Sequence, residues 1–234
     1  MPARDFVKRA DGTRDILARD PMTFIPDLNI LLAYTAAAVI LVITPGPDMT
    51  LFLGQTLTGG RARGIAAYLG ASAGLVVHTM LAAFGLSALL AHSAAAFSVV
   101  KIAGVAYLLW LAVHALRHGS ALTLAPGAAE PQPLGQVFLM GVGINLLNPK
   151  IIMFFLTFLP QFVSASDPHA GAKLMFLGLY FIVLAVPICL VLIVLADRFT
   201  AAIRRSATVM RAIDYLFAGL MGAFAVRLLF ARAD

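Results

Sequence analysis

The chain alternates long apolar runs with short polar segments, and each run is long enough to predict a membrane-spanning helix. A helix that crosses the hydrocarbon core of a bilayer needs about 20 apolar residues. Six runs come close to or exceed that length: 28–57, 66–90, 99–116, 135–160, 174–196 and 209–230. The pattern therefore predicts an all-α membrane protein with six transmembrane helices.

Two of these runs, the first and the fourth, are interrupted by proline motifs. Thr44–Met49 reads TPGPDM, and Asn145–Lys150 reads NLLNPK. Proline lacks an amide hydrogen and clashes with the preceding helical turn. In lipid, the freed backbone groups are tolerated only where protein or a water-filled cavity satisfies them. Interrupted spans at matching positions of two halves indicate the substrate site of a secondary transporter. We therefore predict broken first and fourth helices that face a common site.

The interrupted spans also suggest an internal repeat. Residues 117–134 are polar and rich in proline, and we interpret them as a linker between a first half, 28–116, and a second half, 135–232. An offset of 104 residues aligns Pro45 with Pro149 and Met49 with Met153. Each half holds three spans, an odd number, so the halves would face opposite sides of the membrane. The prediction is two inverted three-helix repeats.

Residues 1–27 form a polar N-terminal tail without the apolar core of a signal peptide. Met22 is an alternative start, because the residues after it lead directly into the first apolar run. On that interpretation, residues 1–21 would not be in the native protein.

Composition and charge support a lipid environment. Hydrophobic residues make up 61% of the chain and charged residues 12%, against about 25% charged residues in ordinary soluble domains. The net charge of +6 comes from basic residues at the ends of apolar runs, which favours a membrane over nucleic acid. The loops after the first, third and fifth runs should be cytoplasmic, because they carry these basic residues: Arg61, Arg63, Arg117, Arg198, Arg204, Arg205 and Arg211.

Asp48 is the strongest candidate for chemistry, because a charged side chain inside a membrane is costly and usually functional. If a half-helix restarts near Pro47, Asp48 lies in its first turn, where the helix dipole favours a carboxylate. There it could bind a substrate ammonium or a proton, or simply cap the helix near the interface. The neighbouring amides could receive a substrate carboxylate.

The second break supplies further polar candidates. Asn145 and Asn148 would line the site with amide groups, and Lys150 could bind a carboxylate or extend to the interface. Gln55 lies two helical turns after Asp48, and His78 lies in the middle of the second run. A neutral, buried, hydrogen-bonded imidazole is the simpler interpretation of His78.

Glycines are frequent in the predicted spans, where small residues permit close helix packing. They suit packing of helices within one chain or between two copies of it, so the sequence is also compatible with a homo-oligomer. The clearest examples are Gly70, Gly74, Gly219 and Gly222.

Three motifs together resemble the lysine exporter (LysE/RhtB) family: Thr44–Met49, Gly60–Gly64 (GRARG) and Asn145–Phe155. The resemblance implies a multi-pass protein of the bacterial inner membrane that exports amino acids or their derivatives. It also implies a proton-motive driving force, with protons as the coupling ion, and no cofactor. Family members with asparagine at the position of Asp48 leave its role as a proton carrier open. The resemblance assigns substrate binding to Pro45, Gly46, Pro47, Asp48, Asn145, Asn148, Pro149 and Lys150.

A zwitterionic substrate needs one partner for its carboxylate and one for its ammonium. Asp48 and the carbonyls near Asn148 suit the ammonium, while Lys150 or half-helix amides suit the carboxylate. A dibasic substrate fits less well, since the spans offer few counter-charges. We therefore expect a neutral amino acid of the homoserine or threonine type.

Two other protein classes can be weighed against an exporter. A divalent-cation transporter of similar six-span organisation would need clustered carboxylates. A membrane-embedded enzyme would need paired aspartates, a nucleophile with a base, or a metal set. No HExxH motif occurs in the chain, and we expect neither catalytic residues nor a metal site.

Overall fold

The computed structural model describes residues 25–86, 94–118, 132–164 and 167–230, which form helices joined by short loops. The prediction of an all-α protein is confirmed for these residues. The predicted tail up to residue 24 and most of the predicted linker lie outside them. The helices are α1 Leu28–Ile43, α2 Pro47–Gly59, α3 Arg61–Met80, α4 Ala94–His118, α5 Leu134–Leu146, α6 Pro149–Met153, α7 Ala170–Val194, α8 Ala196–Arg205 and α9 Ala207–Phe230.

Both proline motifs break a helix, as predicted. The axes of α1 and α2 differ by 51°, and those of α5 and the segment Pro149–Phe162 differ by 50°. In each case a proline is the first residue of the second half-helix, where its missing amide hydrogen has no helical partner to lose. The residue before each second half-helix, Gly46 or Asn148, is extended rather than helical.

Length and hydropathy identify the segments that can cross a membrane. Among the described residues, three helical segments qualify alone: Arg61–Gly85, Ala170–Val194 and Thr208–Val226. Counting each bent pair as one span raises the number to five. A shorter apolar helix, Ile102–Arg117, lies within α4. The sixth span and the inverted repeat stay predictions.

One helix was not predicted. Helix α8 occupies the polar segment between the fifth and sixth apolar runs. Its residues, ADRFTAAIRR, alternate apolar and charged side chains at helical spacing and have low mean hydropathy. A search for uniformly apolar runs passes over such a segment, because an amphipathic helix is recognised by its periodicity.

Helices α3 and α5 pack with their backbones in contact. A Cβ atom at Gly70 would overlap the carbonyl of Phe138, and one at Gly141 would overlap the carbonyl of Ala67. Gly219 and Gly222 have open space around the position of a Cβ. Close packing within the chain is therefore confirmed for Gly70 and Gly74 and is not found for Gly219 and Gly222, whose packing between two copies stays a prediction.

Two apolar clusters lie on either side of the breaks. One joins α1, α7 and the aromatic segment after α6, and at its centre the hydroxyl of Tyr34 donates to the carbonyl of Leu177 at 2.9 Å. The other joins α2, α3 and the end of α7 around Leu53. The polar residues of the two breaks lie between these clusters.

Two polar contacts lie at the ends of helix α7. At its C-terminal end the guanidinium of Arg61 donates to the carbonyl of Val194 at 3.1 Å, so the α2–α3 turn and this end of α7 adjoin. At its N-terminal end Lys173 and Asp167 form an ion pair. Partial burial raises the pKa of Asp167, but the bonds from Lys173 and from the amide of His169 outweigh it and hold the pKa below its usual value.

Candidate functional site

The two breaks face each other across a small cavity. Its volume of about 50 Å³ leaves room for a few water molecules. Polar atoms come from both breaks, and apolar side chains from α2, α3, α6 and α7 close the sides. The lining residues are Leu41, Val42, Thr44, Gly46, Asp48, Met49, Phe52, Tyr68, Ala71, Leu75, Asn145, Asn148, Lys150, Ile151, Phe181, Ala185 and Cys189.

Asp48 lies in the first turn of α2, and its carboxylate points towards the second break. Its Oδ2 accepts hydrogen bonds from the side-chain amides of Asn145 at 2.8 Å and Asn148 at 3.0 Å. Its other oxygen, Oδ1, is buried and has no partner among the described residues. A buried acceptor without a donor is costly, so this oxygen is suited to receive a donor from a bound molecule.

Asn145 reaches Asp48 because α5 packs so closely on α3. Its side chain is 0% exposed. A Cβ on Gly74 would lie 2.5 Å from its Oδ1, so only glycine leaves room for the amide. The Nε2 atom of His78, one turn further along α3, lies 3.4 Å from the carbonyl of Asn145, and its ring stacks on Phe155. His78 therefore contacts Asn145 and does not line the cavity itself, in agreement with its interpretation as a buried, hydrogen-bonded imidazole.

Asn148 serves two elements at once. Its Oδ1 accepts a hydrogen bond from the amide of Lys150 at 3.0 Å and so caps the N-terminus of α6. Its Nδ2 donates to Asp48 in the other half of the chain. The side chain is 1% exposed, so both bonds are shielded from solvent.

Lys150 extends from the second break into the first. Its ammonium donates to the carbonyls of Thr44 at 2.8 Å and Leu41 at 3.1 Å. The proline at position 45 cannot donate to the carbonyl of Leu41, and the break leaves the carbonyl of Thr44 outside any helix. The ammonium thus neutralises the negative end of the α1 dipole, and it does not extend away towards an interface.

In the structure Pro149 corresponds to Pro47, the first residue of the other second half-helix, and not to Pro45 as the sequence offset suggested. Asp48 and Lys150 therefore occupy equivalent positions with opposite charge. Each is the second residue of a half-helix that begins with proline, and each reaches polar groups of the other break. Asp48 and Lys150 do not form an ion pair with each other. Among the described residues, the ion pair that the structure contains joins Lys173 and Asp167. The cavity therefore presents an unpartnered carboxylate oxygen and, separately, an ammonium held by carbonyls.

The other predicted site residues have different positions. Gly46 lines the cavity, and a Cβ there would lie 3.2 Å from the Nζ of Lys150. Pro45 is buried, while Pro47 and Pro149 are exposed and shape the breaks without lining the cavity. Gln55, two turns further along α2, does not line the cavity either.

Sequence reasoning missed the contribution of α7. Phe181, Ala185 and Cys189 line one wall at four-residue spacing, and Tyr68 of α3 lies nearby. Their spacing places them on one helix face, but any apolar helix contains such a stripe, so only tertiary contacts show which face meets the site.

Among the described residues, no group of three or more histidine, cysteine, aspartate or glutamate side chains could hold a metal ion. The cavity combines donors, acceptors and an apolar wall. That combination suits a small molecule with two opposite charges and a short side chain.

Replacing Asn148 with aspartate should lower the free energy of unfolding by about 1–3 kcal/mol, because a donor to Asp48 becomes a second carboxylate. Asn148→Ser is the matched control, since serine is as good a helix cap as asparagine or aspartate. Thermal unfolding of the purified proteins measures the difference. The double variant Asp48→Asn with Asn148→Asp restores a donor–acceptor pair and should recover part of the loss. Both variants lose the amide donor and only aspartate adds a charge, so equal stability of the two would contradict the close approach of residue 148 to Asp48.

Comparison with known proteins gives several matches. A family model described as LysE type translocator matches residues 39–232. The homoserine/homoserine lactone efflux protein of Salmonella typhimurium is 31% identical over 172 residues, which cover 74% of this chain and 82% of that protein. A membrane protein of Vibrio cholerae is 35% identical over 145 residues, 61% of this chain and 69% of its own length.

A leucine efflux protein of Salmonella typhimurium is 29% identical over 146 residues, covering 62% of this chain and 68% of that protein. No solved structure matches the chain significantly.

Proposed function

The chain belongs to the LysE type translocator family, and from this premise we propose that it exports a neutral amino acid or a derivative of one across the bacterial inner membrane. Its apolar helices and its membrane-protein relatives make it a bacterial membrane protein. We favour a substrate of the homoserine or threonine type, with protons as the coupling ion. The observation that carries the proposal is the cavity between the two broken helices, where Asp48 and Lys150 supply opposite charges.

The charges of the cavity fit a zwitterion. Asp48 Oδ1 lacks a donor, and a substrate ammonium would supply one. The N-terminus of α2 has no side-chain cap, because its capping residue is Gly46, so its first amides suit a substrate carboxylate. By contrast, the N-terminus of α6 is capped by Asn148. Lys150 is the second candidate partner for the carboxylate.

The apolar wall sets the size and polarity of the side chain. Phe52, Leu75 and Phe181 border the polar atoms, and an aliphatic or hydroxylated side chain of a few carbons could pack there. Asp48 is the one carboxylate among the lining residues, so a second positive charge on the substrate would have no partner. Relatives named for homoserine and for leucine efflux are consistent with this class.

Alternating access between two inverted repeats is the proposed mechanism. The nearly equal bends of 51° and 50° in the first and fourth spans support the repeat. So does the packing of α4 on α9 and of α3 on α7, because each of these pairs joins the same element of the two halves. Rocking of one half against the other would open the cavity to alternate sides.

A divalent-cation transporter is not favoured. Such a site would need several carboxylate or other hard oxygen ligands around one point. The cavity instead holds one carboxylate and an ammonium, and the ammonium would repel a metal cation.

The first test is an efflux measurement in bacterial cells that lack their own amino-acid exporters. The cells are loaded with mixed dipeptides, and every amino acid in the medium is measured with and without a protonophore. We expect selective accumulation of one neutral amino acid, or of homoserine, and loss of that accumulation with the protonophore. Cells with the empty vector provide the baseline. No excess over that baseline, despite verified protein in the membrane, would contradict the proposal.

A further inference from the structure

The end of helix α1 has the features of a binding subsite that is already filled by the chain itself. The carbonyls of Leu41 and Thr44 have lost their helical partners at the break, and the Nζ of Lys150 binds both, at 3.1 and 2.8 Å. An ammonium has three donors, and these two carbonyls occupy two of them. The groove that holds the ammonium is kept open by Gly46, whose missing Cβ would lie 3.2 Å from Nζ.

We propose that the carbonyls of Leu41 and Thr44 form a subsite for a primary ammonium, which Lys150 occupies as a tethered ligand until a substrate ammonium replaces it. This inference rests on the proposed function and adds the location and the occupant of the ammonium subsite. Nothing about the carbonyl pair is specific to lysine, because any R–NH₃⁺ group presents the same donors.

The exchange keeps the charge balance of the site. One ammonium leaves the carbonyls as another arrives, so neither carbonyl is left without a donor, which would be costly in a buried site. The displaced Lys150 then becomes free to pair with the substrate carboxylate, which lies only a few bond lengths from the ammonium of an α-amino acid. A molecule with only an ammonium can still replace Lys150 on the carbonyls, but it offers Lys150 no carboxylate and should compete more weakly than a zwitterion.

Polar groups from three neighbouring elements line the cavity that contains this ammonium. Asp48 of α2 supplies the negative charge of the cavity, and its Oδ1 is without a donor. Cys189 of α7 and Tyr68 of α3 line the same cavity. The two carbonyls take two of the three donors of an ammonium, and a substrate ammonium, which is not tethered as Lys150 is, can direct its third donor at Oδ1 of Asp48.

The test uses the full-length protein in lipid nanodiscs and the variant Lys150→Ala. This change removes three methylene groups and the ammonium, which together match n-propylammonium. We expect n-propylammonium to raise the thermal midpoint of Lys150→Ala saturably, by about 5 °C. Neutral n-propanol and tetramethylammonium, which has no N–H, should have no such effect.

Two control variants make the result specific. Lys150→Met fills the space without a charge and should not respond to n-propylammonium. Lys173→Ala removes a lysine ammonium that pairs with Asp167 at the N-terminal end of α7, outside the cavity lining, and should not respond either. If Lys150→Ala is recovered only as unfolded protein, n-propylammonium present during expression and extraction should restore folded protein.

Three outcomes would overturn the subsite: no response of Lys150→Ala, an equal response of Lys150→Met or Lys173→Ala, or failure of the amine to restore a misfolded Lys150→Ala. A separate arm tests the exchange, since n-propylammonium should inhibit efflux by the wild-type protein competitively, and n-propanol should not. Stabilisation of Lys150→Ala without inhibition would make Lys150 a permanent cap and overturn the exchange. Amine binding without efflux of any amino acid would keep the subsite and reject the proposed function.

Discussion

Replacing Asp48 with asparagine should reduce amino-acid efflux about 10- to 100-fold while the protein remains folded. The side-chain oxygen of asparagine can still accept the two hydrogen bonds that Asn145 and Asn148 donate to Asp48. Only the charge is lost, together with the acceptor that Oδ1 offers to a substrate ammonium. A hydrogen bond to a charged group contributes about 1.5–3 kcal/mol, and each 1.36 kcal/mol is a factor of ten.

Efflux from cells that contain equal amounts of each protein, measured across a range of external pH, checks this prediction. If Asp48 also carries the proton, the remaining efflux should lose its pH dependence. If it only binds the substrate, the pH dependence should stay and the KM should rise. Asp167→Asn is the matched control, because Asp167 pairs with Lys173 in a loop outside the cavity. Unchanged efflux of Asp48→Asn at all pH values would refute both roles.

A second large effect is expected at the contact between α3 and α5. The variant Gly141→Ala would bring a methyl group onto the carbonyl of Ala67 and to 3.0 Å from the amide nitrogen of Ala71. Backbone atoms cannot rotate away as a side chain can, so the two helices must separate. We expect the free energy of unfolding to fall by about 3 kcal/mol, at the upper end of the range for overpacking.

The same separation would move Asn145, one helical turn after Gly141, away from Asp48. Efflux should therefore fall as well as stability. The matched control lies on the same helix, since the position of a Cβ at Gly143 is open. There alanine should leave stability unchanged or raise it by about 0.5–1 kcal/mol, because glycine is unfavourable inside helices. Thermal unfolding of the two variants side by side decides the matter, and equal stability would contradict the close contact.

The sequence was sufficient to locate the breaks, because the chemistry of proline is local. Proline favours the first position of a helix, as Pro47 and Pro149 show, and a carboxylate at Asp48 inside an apolar run is conspicuous. The bounds of most helices follow from the same apolar runs. Of the polar residues that the two breaks bring to the cavity, Asp48, Asn145, Asn148 and Lys150 were expected there, and Thr44 was not.

The partners of these residues could not be predicted from the sequence. Lys150 binds carbonyls of α1, more than 100 residues away, and its long side chain could equally have extended to an interface. Gln55 shares a helix face with Asp48 but lies outside the cavity lining, since two turns carry it past the break. Which face of α7 lines the cavity depends on helix packing. A uniformly apolar sequence does not indicate that face.

The placement of Asp48 and Lys150 at equivalent positions bears on the history of the chain. If the halves arose by duplication, a dimer of two identical three-helix units would have carried the same residue at both positions, and two like charges would have shared one cavity. Once the two copies were encoded separately, as they are in a fused chain, they could diverge to opposite signs. On that history, the opposite charges of Asp48 and Lys150 would give the cavity a direction, and replacing either half by a second copy of the other would remove it.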